Sequence, residues 1–322
     1  MIPHFSIFLM HIPDGFLTAP VALIGWLLAV IFIALALRQT RQQFDERRVP
    51  LMGVMAAFIF AAQAINFPVL GGTSGHLLGG ALAAIVLGPW AAVLVMAAVI
   101  GLQGLLFQDG GLLVMGWNIV NMGVLTIFTG AAIYRVAQRW LSSERTGLIV
   151  GGAAGAWLSV MAAAMATSLE LAASGTAPLN IVLPAMLTVH ALIGAGEAII
   201  TVGALLLIYS TRPDLMRQGE TAAGQRSSVW VGAGLALALI VAFFSFIASG
   251  DPDGLERVAE DQGFLGTALD PLYQLLPDYT IPFVDNEVVS GIIAVVVGTL
   301  VVFGLALLVG QLLRRRRASH AQ

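Results

Sequence analysis

Long apolar runs separated by short polar breaks dominate the pattern of this chain. Several runs exceed the roughly 20 residues that an α-helix needs to cross a bilayer. Strict alternation of apolar and polar residues, which is typical of membrane β-strands, is absent, so helices must satisfy the backbone hydrogen bonds. The pattern predicts an all-α polytopic membrane protein, with a seven-helix bundle followed by a two-helix C-terminal module. The predicted spans are residues 19–37, 51–67, a short run at 77–88, 89–107, 112–134, 147–173, 180–208, 229–249 and 288–312.

Charged residues in the polar breaks predict the orientation of the chain. All 15 basic residues are arginines, and all except Arg257 lie in four breaks that the positive-inside rule places in the cytoplasm. Residues 250–287 hold half of the 18 acidic residues and are predicted to lie outside. The N-terminus is then outside and the C-terminus cytoplasmic. The predicted divisions are a bundle domain at 10–212, a cytoplasmic linker at 213–228, a two-span domain with an acidic outer loop at 229–313, and a cytoplasmic tail at 314–322.

Composition excludes several classes of site. The chain is 58% hydrophobic and 10% charged, with a mean hydropathy of +0.92, whereas an average globular protein has about 25% charged residues. Because there is no cysteine, disulfides, zinc–thiolate sites and iron–sulfur clusters are excluded, and a metal must be held by nitrogen or oxygen. Neither a nucleotide-binding glycine-rich loop nor an HExxH motif is present. The arginine run at 314–317 follows a span and indicates a cytoplasmic stop signal, not a nucleic-acid site.

The stretch MHIPDG from Met10 carries the first candidate site. If Met10 is the first residue, its amine, the amide nitrogen of His11 and Nδ1 of the His11 imidazole occupy consecutive chelate positions. A distant histidine would complete a square of nitrogens, which suits Ni(II) or Cu(II). Pro13 and the Asp14-Gly15 pair are turn signals that can fold the terminus back toward the bundle. The alternative is a solvated or interfacial His11.

His76 is the second candidate, in the glycine-rich stretch NFPVLGGTSGHLLGG from Asn66. Irregular backbone at membrane depth is tolerated only where it is buried in protein or lines a cavity. His76 is therefore predicted to face a polar interior, where a histidine is a functional candidate. The alternative is a structural hydrogen bond to a neighbouring carbonyl. Nearby polar groups can fix the tautomers of ligating histidines, and Asn66, Thr73 and Ser74 are candidates for that role.

Polar residues within apolar spans form a third set. Glu197 is the costliest, because a carboxylate inside the membrane needs a partner or a proton. His190 precedes it by two helical turns on the same face, so the two form a candidate buried polar pair. Hydrogen bonds between helices are the structural alternative for every member of the set, which comprises Gln63, Gln103, Asn118, Asn121, Glu170, His190 and Glu197.

Two other classes of function remain open at the level of residues. The tetrapeptide GTSG from Gly72 matches the G-x-S-G of rhomboid-type intramembrane proteases, with Ser74 as nucleophile and His190 as its base. A passive channel or structural membrane protein, in which neither His11 nor His76 binds metal, is the third interpretation.

Several motifs in order resemble one family. They are MHIPDGF from Met10, AAQAINFPVLGGTSGHLLGG from Ala61, LLFQDGG from Leu105, NMGV from Asn121 and HALIGAGEA from His190. Over about residues 10–210 the chain resembles the substrate-binding membrane subunits of energy-coupling-factor transporters for nickel and cobalt, the CbiM/NikM family. From about residue 229 onward, with PDGLE from Pro252, it resembles the PDGLE domain, a two-span companion subunit that is fused here.

The resemblance implies that the chain captures Ni(II) or Co(II) from outside as the transported substrate, with no permanently bound cofactor. The implied ligands are the Met10 amine, the amide nitrogen and imidazole of His11, and His76. The N-terminal loop would insert into the helical bundle and plug the site. Residues 1–9 would then be a misassigned extension, because a peptide bond at Met10 removes one ligand.

The resemblance also implies partners. They are a transmembrane scaffold subunit and cytoplasmic ATP-binding subunits, which the chain needs because it has no ATPase motif of its own. The chain would catalyse no covalent chemistry and would lie in a bacterial inner membrane, in contact with lipid and with no nucleic acid. A square of nitrogens that includes a deprotonated amide favours nickel over cobalt, and the PDGLE-type companion favours nickel as well.

Overall fold

The computed structural model describes residues 11–42, 48–215 and 228–318. Met10, residues 1–9 and most of the predicted linker lie outside the described residues. The described chain is mostly helical and includes one two-stranded hairpin. Its α-helices are α1 (Ala19–Gln42), α2 (Arg48–Gln63), α3 (Gly80–Leu87), α4 (Pro89–Leu102), α5 (Met115–Asn118), α6 (Thr126–Trp140), α7 (Glu144–Ala173), α8 (Leu179–Thr211), α9 (Ser228–Phe243), α10 (Gly254–Asp261) and α11 (Glu287–Ala318).

Within the described residues, seven helical segments are long and apolar enough to cross a membrane. This finding confirms the predicted all-α polytopic membrane fold. The segments are Ala19–Gln42, Pro89–Phe107, Met115–Trp140, Glu144–Ala173, Leu179–Thr211, Val229–Ile247 and Glu287–Arg314.

Two of the predicted spans are shorter than a full crossing. Helix α2 has 16 residues and α3 has eight, and eight residues extend only about 12 Å against a hydrocarbon core of about 30 Å. Glycines with positive φ lie at both ends of α3, at Gly79 and Gly88, and Pro89 begins the next helix. All eight residues of α3 are buried, so protein surrounds this short helix.

Two π-helical segments widen the helices near one end of the bundle. Gln103–Phe107 continues α4, and Ile119–Leu125 joins α5 to α6. π-Helical turns often occur at functional sites because they change the direction of side chains. Gln103 and Asn121 lie in these segments, at the end of the bundle that also holds residues 248–286. We call this end of the bundle the acidic end.

A β-hairpin replaces the irregular loop expected before His76. Strands β1 (Phe67–Val69) and β2 (Thr73–Gly75) pair in antiparallel register, with Val69 opposite Thr73. Gly71 and Gly72 in the turn both have positive φ, a conformation that glycine adopts readily. All of β2 is buried, so the hairpin brings the chain to His76 from inside the protein.

The two long C-terminal helices pack on the bundle, since α9 and α11 both contact α2. The segment between them crosses the acidic end and covers the N-terminal loop of residues 11–18. Phe264 from this segment meets Phe16 edge to face, with ring centroids 5.2 Å apart. The amide of Leu269 also donates to the carbonyl of Asp14 at 2.8 Å. The N-terminal loop therefore lies between the bundle and the C-terminal module.

Candidate metal site

Hydrogen bonds from side-chain and backbone amide groups hold the N-terminal loop inside the bundle. Asn118 acts like a strand partner to Ile12: its Oδ1 accepts from the Ile12 amide at 3.0 Å, and its Nδ2 donates to the Ile12 carbonyl at 3.1 Å. The Gly111 amide donates to the same carbonyl at 2.9 Å. His11, directly before Ile12, is 2% exposed. These bonds fix the backbone next to the candidate ligand.

The sequence predicted Asp14 only as a turn residue, but its side chain also binds a second loop. Its carboxylate accepts backbone N–H groups of Leu112, Leu113 and Val114 at 2.9–3.2 Å. A Cβ at Gly111 would overlap the carboxylate and amide of Asp14. Glycine at position 111 is therefore required for the close approach of the two loops.

The rings of His11 and His76 face each other across a buried space. Their centroids are 5.8 Å apart and their planes are inclined at 42°. A metal ion about 2 Å from one nitrogen of each ring fits between rings at this separation. His76 is 7% exposed, and its Nδ1 lies 3.0 Å from the carbonyl of Leu77. A carbonyl only accepts, so Nδ1 carries the proton and Nε2 is the basic ring nitrogen of His76.

Both rings line a cavity of about 70 Å³. The cavity is large enough for a metal ion with several waters, since one water molecule needs about 10–15 Å³ of such cavity volume. Its polar lining comes from the N-terminal loop, the segment after the hairpin, α5 and the π-helical segment that follows it, α7, α8, and the residue before α10. The polar residues that line it are His11, His76, Asn118, Asn121, Thr167, His190 and Asp253.

His11 is oriented by a carboxylate. Its Nδ1 lies 2.6 Å from Asp109 Oδ1, and both side chains are buried. A metal-binding histidine commonly donates its second ring N–H to such a partner, which fixes the tautomer. The other ring nitrogen, Nε2, is buried and has no hydrogen-bond partner among the described residues.

The contact between His11 Nδ1 and Asp109 affects the metal chelate that the sequence predicts. A chelate through the amine, the amide and Nδ1 requires that Nδ1 leave Asp109, whereas metal binding through Nε2 keeps the Asp109 bond. Met10 lies outside the described residues. Within the described part of the chain, no three His, Asp or Glu side chains gather into a metal-binding cluster.

The polar groups near His76 hold the C-terminal module and not the histidine tautomers. Ser74 donates from its amide to the Pro252 carbonyl and from its hydroxyl to the Asp251 carbonyl, each at 2.8 Å. The Thr73 hydroxyl also donates to the Pro252 carbonyl, at 3.0 Å. The backbone carbonyl of Asn66 accepts from the amide of Ser249 at 2.7 Å. The tautomer role expected for Asn66, Thr73 and Ser74 is filled at His11 by Asp109.

Asp253 brings a carboxylate to the cavity from the C-terminal module. It caps the start of α10, where its Oδ1 accepts the Glu256 amide at 2.7 Å, and it is 5% exposed. Burial raises the pKa of Asp253, and the nearby imidazoles of His76 and His11 oppose that rise. Burial, followed by the charge of Asp253, raises the pKa of Glu256 to about 7.

The expected pair of His190 and Glu197 is not formed. The Glu197 carboxylate accepts the amides of Leu78 and Gly79 at 2.6 and 2.9 Å, which anchors the start of α3. His190 lines the cavity, and its Nδ1 lies 2.8 Å from the Met186 carbonyl. Each residue therefore has its own structural partner.

The geometry expected of a serine protease is also not formed. The Ser74 hydroxyl is directed at the Asp251 carbonyl, and the structure gives no hydrogen bond between Ser74 and His190 in the described residues. Ser74 is fully buried, so a peptide substrate has no access to it.

Sequence reasoning missed the roles of Asp109, Asn118 and Asp253. It also missed Tyr279, whose hydroxyl lies 2.7 Å from Asp109 Oδ2. The motif LLFQDGG was a usable signal for Asp109, because it places a carboxylate before two glycines at the end of an apolar run. No local signal connects Tyr279 to the site.

Two family models match the chain. The model for the cobalt uptake substrate-specific transmembrane region, CbiM, matches residues 11–215, and the model for the PDGLE domain matches residues 228–315.

Two similar proteins cover both parts of the chain. A protein of Archaeoglobus fulgidus, named as a fused nickel transport protein NikMN, is 37% identical over 92% of this chain and 96% of its own length. The fused nickel transport protein NikMN of Rhodobacter capsulatus is 30% identical over 96% of this chain and all of its own. A crystal structure of a transition metal transporter, 29% identical, covers 70% of this chain and 99% of its own, with a TM-score of 0.56.

Proposed function

Because the chain belongs to the CbiM family of metal-uptake membrane proteins and carries a fused PDGLE domain, we propose that it captures Ni(II) or Co(II) from outside the cell as the substrate-binding subunit of an ATP-driven importer. The observation that carries this proposal is the buried pair of His11 and His76, whose rings lie 5.8 Å apart beside one polar cavity. Imidazole nitrogens are good ligands for both metals.

The proposed ligands are the amine of Met10, His11 and His76. The Met10 amine, the His11 amide nitrogen and Nδ1 of His11 would occupy consecutive chelate positions, so Nδ1 would leave Asp109 when the metal binds. Nε2 of His76 would supply the fourth nitrogen. The Met10 amine is a ligand only if the chain begins at that residue, so residues 1–9 must be absent or removed. Asp253 adds a carboxylate at the cavity, where it attracts cations electrostatically.

Nickel is the favoured substrate. Nitrogen ligands in a planar arrangement suit Ni(II), and both fused relatives described above are named as nickel transport proteins. Cobalt is the alternative, since the family model is described as a cobalt uptake region.

Transport requires further subunits. We place the acidic end outside and the arginine-rich breaks in the cytoplasm, so a bound metal must move inward past a plugged cavity. A transmembrane scaffold subunit and cytoplasmic ATP-binding subunits would drive that step. The chain itself would supply recognition, burial of the cation and protection from competing ligands.

The test is equilibrium binding of Ni(II) and Co(II) to the purified chain in detergent, with intact mass to define its first residue. We expect about one metal per chain when it begins at Met10, and at least tenfold weaker binding for His11→Ala, His76→Ala and a chain beginning at Met1. His190→Ala is the matched control, because this residue lines the same cavity but is not a proposed ligand. Equal binding by all five proteins would overturn the proposal.

A further inference from the structure

The PDGLE domain contributes one carboxylate to the wall of the cavity beside His11 and His76. Among the described residues that line this cavity, Asp253 is the only one with a carboxylate. Asp109, which contacts His11 Nδ1, is not among the lining residues. The CbiM part therefore supplies the histidines and amides of the cavity wall, and the PDGLE domain supplies its acidic group.

The Asp253 carboxylate has no arginine partner within the described part of the chain. The sequence contains no lysine, and Arg257, the single arginine between residues 250 and 287, lies 4.0 Å from Glu260 and 3.3 Å from Asp261. A buried carboxylate is normally paired with a cation or bound to a metal. Burial accordingly raises the pKa of Asp253. The cavity thus presents an acidic group that a bound cation would stabilise.

Contacts on three sides hold Asp253 in place. Its Oδ1 accepts the amide of Glu256 at 2.7 Å and caps α10. The carbonyl of the preceding residue accepts from the amide of Ser74 at 2.8 Å. The following residue, Gly254, packs so closely on α8 that a Cβ there would lie 2.6 Å from Ile193. A group held by its surroundings is already oriented when a ligand arrives.

Capture of Ni(II) by the proposed nitrogens leaves a positive charge in the cavity. The His11 amide releases its proton to solvent and becomes an anion, whereas the Met10 amine and the imidazoles of His11 and His76 bind as neutral groups. A divalent ion held by this set keeps a single positive charge. An unpaired charge that is buried away from water is unfavourable. The bound ion therefore needs an anion beside it.

We propose that Asp253 is the counter-charge by which the PDGLE domain retains the captured divalent cation in the cavity. The inference rests on the proposed function, because it requires the metal to bind beside His11 and His76. It specifies what the C-terminal module adds to that site. Because Asp253 is buried, its charge acts chiefly on the bound ion and so on the rate at which the ion leaves.

Asp253→Asn tests the proposal, because it removes the charge and asparagine caps a helix about as well as aspartate does. Asp251→Asn is the matched control, since Asp251 lies two residues earlier but does not line the cavity. Stopped-flow exchange with a chelator measures both rates. We expect Ni(II) to leave Asp253→Asn roughly tenfold faster, with an association rate within about threefold of the parent's, as for loss of one partner of a buried charge pair. Asp251→Asn should match the parent in both rates.

Thermal unfolding of the metal-free protein is a readout that needs no bound metal. We expect metal-free Asp253→Asn to be at least as stable as the parent, because it has lost a buried unpaired charge. Added Ni(II) should raise its unfolding temperature by less than it raises the parent's. Asp253→Ala, which removes the cap as well, should unfold at a lower temperature than the parent.

Two results would overturn the role of Asp253 as a counter-charge. One is a dissociation rate of Ni(II) from Asp253→Asn equal to the parent's, which would leave Asp253 as the cap of α10 alone. The other is a metal-free Asp253→Asn that unfolds at a lower temperature than the parent, because faster loss of metal would then follow from a damaged fold. In both cases the parent still binds Ni(II). A parent chain that binds no Ni(II) contradicts the proposed function itself, and this inference with it.

Discussion

The hydroxyl of Ser74 donates a hydrogen bond of 2.8 Å to the backbone carbonyl of Asp251. This bond joins the hairpin that precedes His76 to the segment that precedes α10. The Ser74 and Asp251 segments are far apart in sequence and belong to the two portions matched by different family models. The bond therefore contributes to a covered cavity that neither portion forms alone.

We expect Ser74→Ala to weaken this junction. The Asp251 carbonyl loses one partner, which typically costs about 1 kcal/mol of the free energy of unfolding. Equilibrium unfolding in mixed detergent measures the loss, and Ser210→Ala is the control because Ser210 is exposed and bonds only within its own helix. Equal stability of the two variants would contradict the role of the bond.

Gly111→Ala should displace the N-terminal loop. A methyl group at position 111 overlaps the amide and carboxylate of Asp14, so the loop that carries His11 must move. We expect loss of at least tenfold in Ni(II) affinity, together with a lower unfolding temperature. Gly101→Ala is the matched control, because nothing lies within 4 Å of its added methyl and alanine favours the helix. Undiminished Ni(II) binding by Gly111→Ala would show that the loop position is unimportant.

Glu197→Gln should destabilise the start of α3 without weakening metal binding. The amide side chain offers one acceptor oxygen where the carboxylate offers two, so one of the amides of Leu78 and Gly79 loses its partner. A buried unsatisfied group costs about 1–3 kcal/mol. If Glu197 and His190 are independent, the double variant with His190→Ala should show additive losses of stability within about 0.5 kcal/mol. A larger coupling energy between the two substitutions would support the pair of His190 and Glu197 that the sequence predicts.

Glu256 should make stability depend on pH. Its pKa is raised by burial, and by the charge of Asp253, from 4.5 to about 7, so the folded state binds more protons than the unfolded state between these values. Metal-free stability should therefore fall as pH rises from about 4.5 to about 7, by at most about 3 kcal/mol. Glu256→Gln should remove this dependence and be more stable than the parent at pH 8. Asp261→Asn, exposed on the same helix, should retain the parent's profile.

The sequence predicted the membrane-spanning helices because their apolar runs are long and continuous. It overestimated the span at 77–88, where Gly79, Gly88 and Pro89 shorten the helix to eight residues. The glycines were visible in the sequence, but hydropathy alone cannot distinguish a buried short helix from a span. The hairpin was missed because its strands have only three residues each.

The sequence predicted those residues of the candidate site whose own local motif points to metal binding. His11 and His76 were singled out from their local sequences, and their rings lie near each other. Asp109 and Tyr279 were not assigned, because a hydrogen bond between residues far apart in the chain depends on how the helices pack. Ser74 was assigned to the wrong neighbour for the same reason: its partner is a backbone carbonyl of the C-terminal module, and any residue could supply that group.

The most direct measurement of the central claim is X-ray absorption of Ni(II) bound to the chain that begins at Met10. We predict nitrogen ligands at about 2.0 Å with the scattering pattern of two imidazoles, one of which is lost in His76→Ala. A metal surrounded by oxygen alone, with the same spectrum in the parent and in His76→Ala, would contradict the assignment of this buried histidine pair.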